Sequence, residues 1–191
     1  MNTRTALLDS AERAARQRGY DAFSYADLAR DVGIRKASIH HHFPVKADLA
    51  FGLIERYAAR FADALAEIDT AHTHAADKLR AYLAIYRVAL AGGTQLCLCV
   101  AMSAGRESLA EPVLSELNQF HESSVTWLTR VFEQAQTDQT VAGVIDAASE
   151  ARAMLALMEG AQLVARAAKN LALFDQATAA FAARLSAPEP H

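Results

Sequence analysis

The side chains best suited to chemistry sit in two short stretches. In the first, Arg35, Lys36, Ala37, Ser38, His40, His41 and His42 follow Gly33 and precede Phe43. Three consecutive histidines on a helix splay over about 200°, so one metal ion cannot collect all three rings. Cations, a hydroxyl and imidazoles on one short helix instead offer donors to phosphates and base edges. The second stretch holds the only cysteines, Cys97 and Cys99. A thiolate is a nucleophile whose pKa a nearby cation lowers, and Arg106 or Lys169 are candidate cations. With no second pair, the thiols do not make a zinc site. If both lie on a helix they point roughly 200° apart, so no disulfide between them is expected. The competing reading is that both are small, inert core residues.

No cofactor, metal site or catalytic residue is expected. The chain shows no Ser/His/acid signature, no phosphate-cradling glycine loop and no His-x-x-x-His or Glu-x-x-His pair. Formal charge is -3 overall, but unevenly distributed. Residues 1–60 hold ten Lys and Arg against seven Asp and Glu, net +3; the remainder holds nine against fifteen, net -6. A basic end on an acidic body suits a partner with phosphates at one end only. No run of about 18 apolar residues predicts a membrane span. The polar start lacks a signal-peptide core, and a cytoplasmic protein with two reduced thiols is expected.

Helices must position these groups. Apolar residues make up 52% of the chain, with only four prolines and eight glycines. Apolar residues recur at three and four almost throughout, and no stretch alternates as a strand does. The spacing predicts a first helix ending near Arg18-Gly19 and a short helix capped by Ser24 and Asp27. A turn at Gly33 leads to a third helix over residues 36–42, stopped by Phe43-Pro44. A long helix starts near Lys46, a polar break falls at 69–77, and a further helix closes at Gly92-Gly93. A short helix carries the cysteines, Pro112 opens a long one, and helices near 144–168 and 171–185 finish the fold. The tail 186–191 is expected to be disordered.

Two short helices joined by a glycine turn make a helix-turn-helix, whose second helix enters the DNA major groove. The stretch "FSYADLARDVGIRKASIHHHFPVKADL" resembles the N-terminal motif of the TetR family of transcriptional regulators over residues 4–60. That resemblance implies an all-α chain: a three-helix DNA-binding domain at 1–47, then a six-helix effector-binding and dimerisation domain at 48–185. It places Lys36, Ala37, Ser38 and His40 at the groove, His41 and His42 near the backbone, and Lys46 on a phosphate. Two positions depart from the family pattern. Arg35 stands where a small hydroxyl residue often caps the recognition helix, and His40 where tyrosine is frequent.

For the body, the resemblance implies an effector pocket, with Phe61, Tyr82, Tyr86, Cys97, Met102, Phe120, His121 and Trp127 as candidate walls. Aromatic residues at this spacing also suit a plain core. The thiol-bearing segment resembles the electrophile-responsive branch of the family, with Cys97 or Cys99 as the sensor. The alternatives are a reversible apolar ligand, or a helical module that binds protein. The penultimate helix is apolar on more than one face, with Ala153, Leu157, Gly160 and Val164 forming a second stripe. With Phe174 and Phe181 these predict a symmetric homodimer, reading palindromic double-stranded operator DNA and released by a small effector or electrophile. A repressor is the expected sense of regulation.

Overall fold

The computed structural model describes residues 2–186. Of the tail, only Ser186 is among them, its amide donating to the Thr140 carbonyl at 2.9 Å; the rest of the expected disordered segment lies outside the described residues. Within that range the chain is helical, with no named strand and one isolated bridge between Val141 and Leu185. The helices are α1 (Thr3–Arg18), α2 (Tyr25–Val32), α3 (Lys36–His42), α4 (Lys46–Ala71) and α5 (Ala75–Ala89). After them come α6 (Leu98–Ser103), α7 (Glu111–Asp138), α8 (Ala147–Ala167) and α9 (Ala172–Ala182).

The ends follow from local chemistry. The Asn2 side chain caps α1 through the Arg4 amide, and Arg16 and Arg18 in its last turn complement the helix dipole. Ser24 and Asp27 form a reciprocal capping box at α2. Asp146 caps α8 through the amides of Ala148 and Ser149. The polar break predicted at 69–77 is shorter than its composition suggests. The helix α4 runs through Ala71, and α5 begins at Ala75 because distant groups satisfy its first amides. Asp138 Oδ2 accepts from the Ala75 amide at 2.9 Å, and Thr140 Oγ1 from Ala76 at 3.0 Å.

The chain divides into two compact units. The first takes residues up to Arg60 together with Gln95–Phe120, so α6 belongs to the same unit as α1, α2 and α3. Its core includes Leu7, Leu28, Ile39, Phe43, Leu49, Leu53, Leu98 and Met102, all nearly inaccessible. The second takes Phe61–Thr94 and the chain from His121 onward. Its core is built on Tyr82, Tyr86, Leu128, Phe132, Met158 and Phe174. The helices α4 and α7 each contribute a part to both units.

Candidate DNA interface and thiol site

The helix α3 is held out by the turn before it. Gly33 sits in the left-handed region (φ 74°, ψ 34°), and the Ile34 amide donates back to Ala29 at 3.0 Å, a Schellman-type stop that favours glycine there. Ile39 is fully buried under α3, and the Tyr25 hydroxyl donates to the Phe43 carbonyl at 2.8 Å, fixing the helix exit. The opposite face is open. Arg35, Lys36, Ala37, Ser38, His40 and His41 are exposed, and His42 is half-buried. Arg35 occupies the N-cap without a side-chain cap bond. The His40 ring packs edge-on to Tyr25 at 5.0 Å, with Nδ1 3.1 Å from the Pro44 carbonyl oxygen. The rings of His41 and His42 meet edge-on at 5.5 Å.

Lys46 is anchored. Its Nζ donates to the carbonyls of Tyr20 and Phe23, each at 2.7 Å, and lies over both rings at 4.3 and 4.4 Å. Two of its three donors thus close the turn between α1 and α2. Burial lowers its pKa, with the Asp21 charge opposing. A cleft of about 470 Å³ lies along α1 and α2, lined by Ser10, Arg13, Gln17, Arg18, Asp27, Arg30 and Asp31 among others. Four of its charges are paired: Asp31 accepts from Arg13 as well as from Ser10, and Asp27 from Arg30.

The cysteines are arranged differently from the helical expectation. Cys97 is the N-cap of α6, with extended backbone (φ -51°, ψ 140°), so the 200° separation does not apply. Its sulfur accepts a hydrogen bond from the Cys99 thiol. Tyr57 of α4 donates its hydroxyl to the same sulfur at 3.3 Å. The Cys97 pKa is lowered to about 7, first by the Cys99 thiol and, against the opposing effect of burial, by Tyr57 and the amides of Val100 and Cys99. The strongest of these influences are hydrogen-bond donors, not Arg106 or Lys169. Arg106 is exposed in a 3-10 turn, and Lys169 belongs to the second unit. Burial and the neighbouring thiols push Tyr57 well above the usual phenol range. Tyr57 is not singled out by the sequence, because no spacing rule links residue 57 to residue 97.

The remaining effector candidates fall into two groups. Cys97, Cys99, Met102 and Phe120 are buried in the first unit, where Phe120 lies 6.1 Å from the Tyr57 ring. Tyr82, Tyr86 and Trp127 are buried in the second, with Phe61. There Tyr82 stacks on Trp127 at 5.5 Å, and the Tyr82 and Tyr86 hydroxyls are 3.2 Å apart. These rings fill space against one another as a core does. His121, half-buried, lies 3.1 Å from Glu159 of α8. Of the dimer candidates, Ala153, Gly160 and Val164 are exposed and Leu157 is half-buried, whereas Phe174 and Phe181 are buried within their own unit.

A short helix, α3, that follows α2 across a glycine turn and exposes Arg35, Lys36 and Ser38 is the arrangement of a helix-turn-helix DNA-binding regulator. The comparisons narrow this. Residues 7–53 match the family model "Bacterial regulatory proteins, tetR family". The solved structure of a TetR-family transcriptional regulator from Agrobacterium tumefaciens is 32% identical, with a TM-score of 0.90 over 96% of this chain and 97% of that one. The chain belongs to the TetR family. It is also similar to the HTH-type transcriptional repressor NemR of Escherichia coli, 23% identical over 93% of this chain and 91% of that protein. The reduced form of E. coli NemR has the same fold, with a TM-score of 0.82 over 100% of both chains. No helix among the described residues is long and apolar enough to cross a membrane.

Proposed function

We propose that this protein is a homodimeric repressor that binds palindromic operator DNA and releases it when Cys97 reacts with an electrophile. The observation that carries the reading is that the thiols share a compact unit with the helix-turn-helix. Leu96, next to Cys97, exchanges two hydrogen bonds with Arg16 at the end of α1: Arg16 Nε to the Leu96 carbonyl at 2.8 Å, and the Leu96 amide to the Arg16 carbonyl at 3.0 Å. The repressor name of the similar NemR supports the sense of regulation.

In this mechanism the Cys97 thiolate adds to an activated carbon–carbon double bond. A sulfur–carbon bond forms, the double bond opens, and the neighbouring carbon takes a proton from water. The sulfur then no longer accepts from Cys99 and Tyr57, and a buried N-cap must accommodate the adduct. The start of α6 shifts, and with it the contact to α1. The adduct favours the state that does not fit DNA, which is the thermodynamic requirement for release. Arg35, Lys36, Ala37, Ser38, His40, His41 and His42 are the proposed operator contacts, with Lys46 at their edge. The exposed stripe of α8 is the proposed dimer face.

The test is operator binding by gel shift, using DNA from upstream of the protein's own gene, before and after N-ethylmaleimide treatment. Loss of binding that Cys97→Ser prevents supports the reading. Unchanged affinity in a fully alkylated sample defeats the thiol mechanism and leaves the regulator.

A further inference from the structure

The two sulfurs form a unit that single-thiol alkylation does not use. We propose that Cys97 and Cys99 together make a dithiol site for trivalent arsenic, both sulfurs bonding one arsenic atom. The inference deepens the thiol-sensing reading and rests on it for any effect on DNA, but capture itself has an independent readout.

Geometry supports a bridging atom over the alternatives. Cys97 is the N-cap of α6 and Cys99 lies in its first turn, two residues on, with a hydrogen bond between the two thiols. Sulfurs in a hydrogen bond stand farther apart than the roughly 2.05 Å of a disulfide, so an atom placed between them asks less of the backbone than a direct bond. A zinc-like ion would need about four ligands. Among the described residues no group of three or more His, Cys, Asp or Glu could hold a metal ion. Trivalent arsenic needs only three bonds, two to sulfur and one to a group it already carries. Arsenous acid is also small and uncharged near neutral pH, which suits thiols exposed by only 2% and 0%. A soft centre with sulfur ligands is the expected match.

The step balances without a redox partner. Two thiols displace two hydroxyls from As(OH)3, forming two S–As bonds; each thiol proton leaves with a hydroxyl as water, and one hydroxyl stays on arsenic. Sulfur and arsenic keep their oxidation states. Because both sulfurs are covered, capture proceeds through local opening of the 95–105 segment.

The experiment incubates reduced full-length protein with sodium arsenite, then unfolds it in iodoacetamide and measures intact mass. The expected product carries one arsenic and no alkyl group, and dithiothreitol reverses it where an equal thiol concentration of glutathione does not. Cys97→Ser and Cys99→Ser should each weaken capture by about tenfold or more, the scale of one lost bond worth about 1.4 kcal/mol. An arsenic adduct that leaves one thiol open to alkylation, absence of an adduct, or full affinity in either variant overturns the dithiol site. The wild-type thiol count decides the matter if a serine variant does not fold. Arsenic capture without loss of operator binding would sustain this site and count against the release mechanism. Release by N-ethylmaleimide without arsenic capture would do the reverse.

Discussion

Arg16 and Leu96 hold each other reciprocally, guanidinium to carbonyl at 2.8 Å and amide to carbonyl at 3.0 Å, across 80 residues of sequence. The pair extends into an ionic cluster. Glu12, one turn earlier on α1, lies 3.6 Å from Arg16 and accepts from Arg56 and Arg60 of α4 at 2.8 and 2.6 Å. The end of α1, the first half of α4 and the thiol segment thus share one polar lattice. Replacing Arg16 by methionine keeps the aliphatic stem and removes the charged donor. A hydrogen bond from a charged group is worth about 1.5–3 kcal/mol, so urea denaturation should show a loss of that order. Basal operator affinity should change little, while the loss of affinity on alkylation should shrink about fivefold or more. Full release by the alkylated variant would show that Leu96 does not transmit the signal.

The state of Cys97 predicts a pH profile. A thiol with a pKa near 7 gains thiolate as pH rises through 7, where an ordinary one would do so near 9. The alkylation rate at Cys97, followed in Cys99→Ala to isolate one sulfur, should stay sigmoidal in pH, with its midpoint raised because the leading donor is gone. In the wild type the midpoint should fall near 7. Tyr57→Phe removes the second side-chain donor. It should move the midpoint upward and slow the reaction at pH 7 about 3- to 10-fold, since a tenfold effect corresponds to about 1.4 kcal/mol. An unchanged midpoint in Tyr57→Phe would mean that the phenol does not stabilise the thiolate.

Lys36 and Lys46 should separate under salt. Lys36 is exposed on α3, and Lys36→Met should reduce the slope of log affinity against log salt by about 1 while leaving stability unchanged. Lys46 donates to Tyr20 and Phe23, so Lys46→Met should cost about 2 kcal/mol of stability, with the smaller change in salt slope. Gel shifts at several salt concentrations and urea melts of both variants check this. A normal melt for Lys46→Met with a reduced slope would assign that ammonium to phosphate instead.

Asp138 offers a stability test in the second unit. Burial raises its pKa, but the Ala75 amide, the Thr140 hydroxyl and amide and the Gln134 side chain outweigh that and hold it below the usual carboxylate value. A depressed carboxylate contributes stability that is fully present above the unfolded-state pKa, near 4, and is lost as pH falls through the lower folded value. Asp138→Ala should therefore cost about 1–2 kcal/mol at pH 7, the range of a lost helix cap. The difference from wild type should narrow as pH falls below about 4. Paired urea melts at pH 7 and pH 3 measure it, and a gap that stays constant would remove the carboxylate from the account.

Local signals made the helix-turn-helix legible. Ser24, Asp27, Gly33 and Pro44 act within a few residues of their positions, and the predicted third helix, 36–42, matches Lys36–His42. Signals that act across the chain were not legible. The break before α5 looked long because its caps, Asp138 and Thr140, lie some 60 residues away. The thiol geometry depends on Cys97 being an N-cap, to which the helical angle does not apply. Aromatic spacing could not tell a pocket wall from a core, and in the second unit the rings of Tyr82, Tyr86 and Trp127 pack on one another.

The outer face of α8 carries the last prediction. Leu163 and Val164 are 46% and 54% exposed, and a Cβ built at Gly160 meets nothing within 4 Å. Buried Met154, Met158 and Ala161 line the opposite side of the same helix. A helix apolar on both sides is expected to bury both. Gly160→Leu discriminates well, because within one chain the new side chain has room and improves helix propensity by about 1 kcal/mol. Against a close partner helix it would collide. The wild type should sediment as a dimer at micromolar concentration, and Gly160→Leu should sediment as a folded monomer with an undiminished helical signal. Val164→Glu should do the same by placing like charges across the two-fold axis. Operator affinity should fall sharply in both, because two half-sites are then read by independent chains. A dimer that survives both substitutions would move the interface off this face of α8.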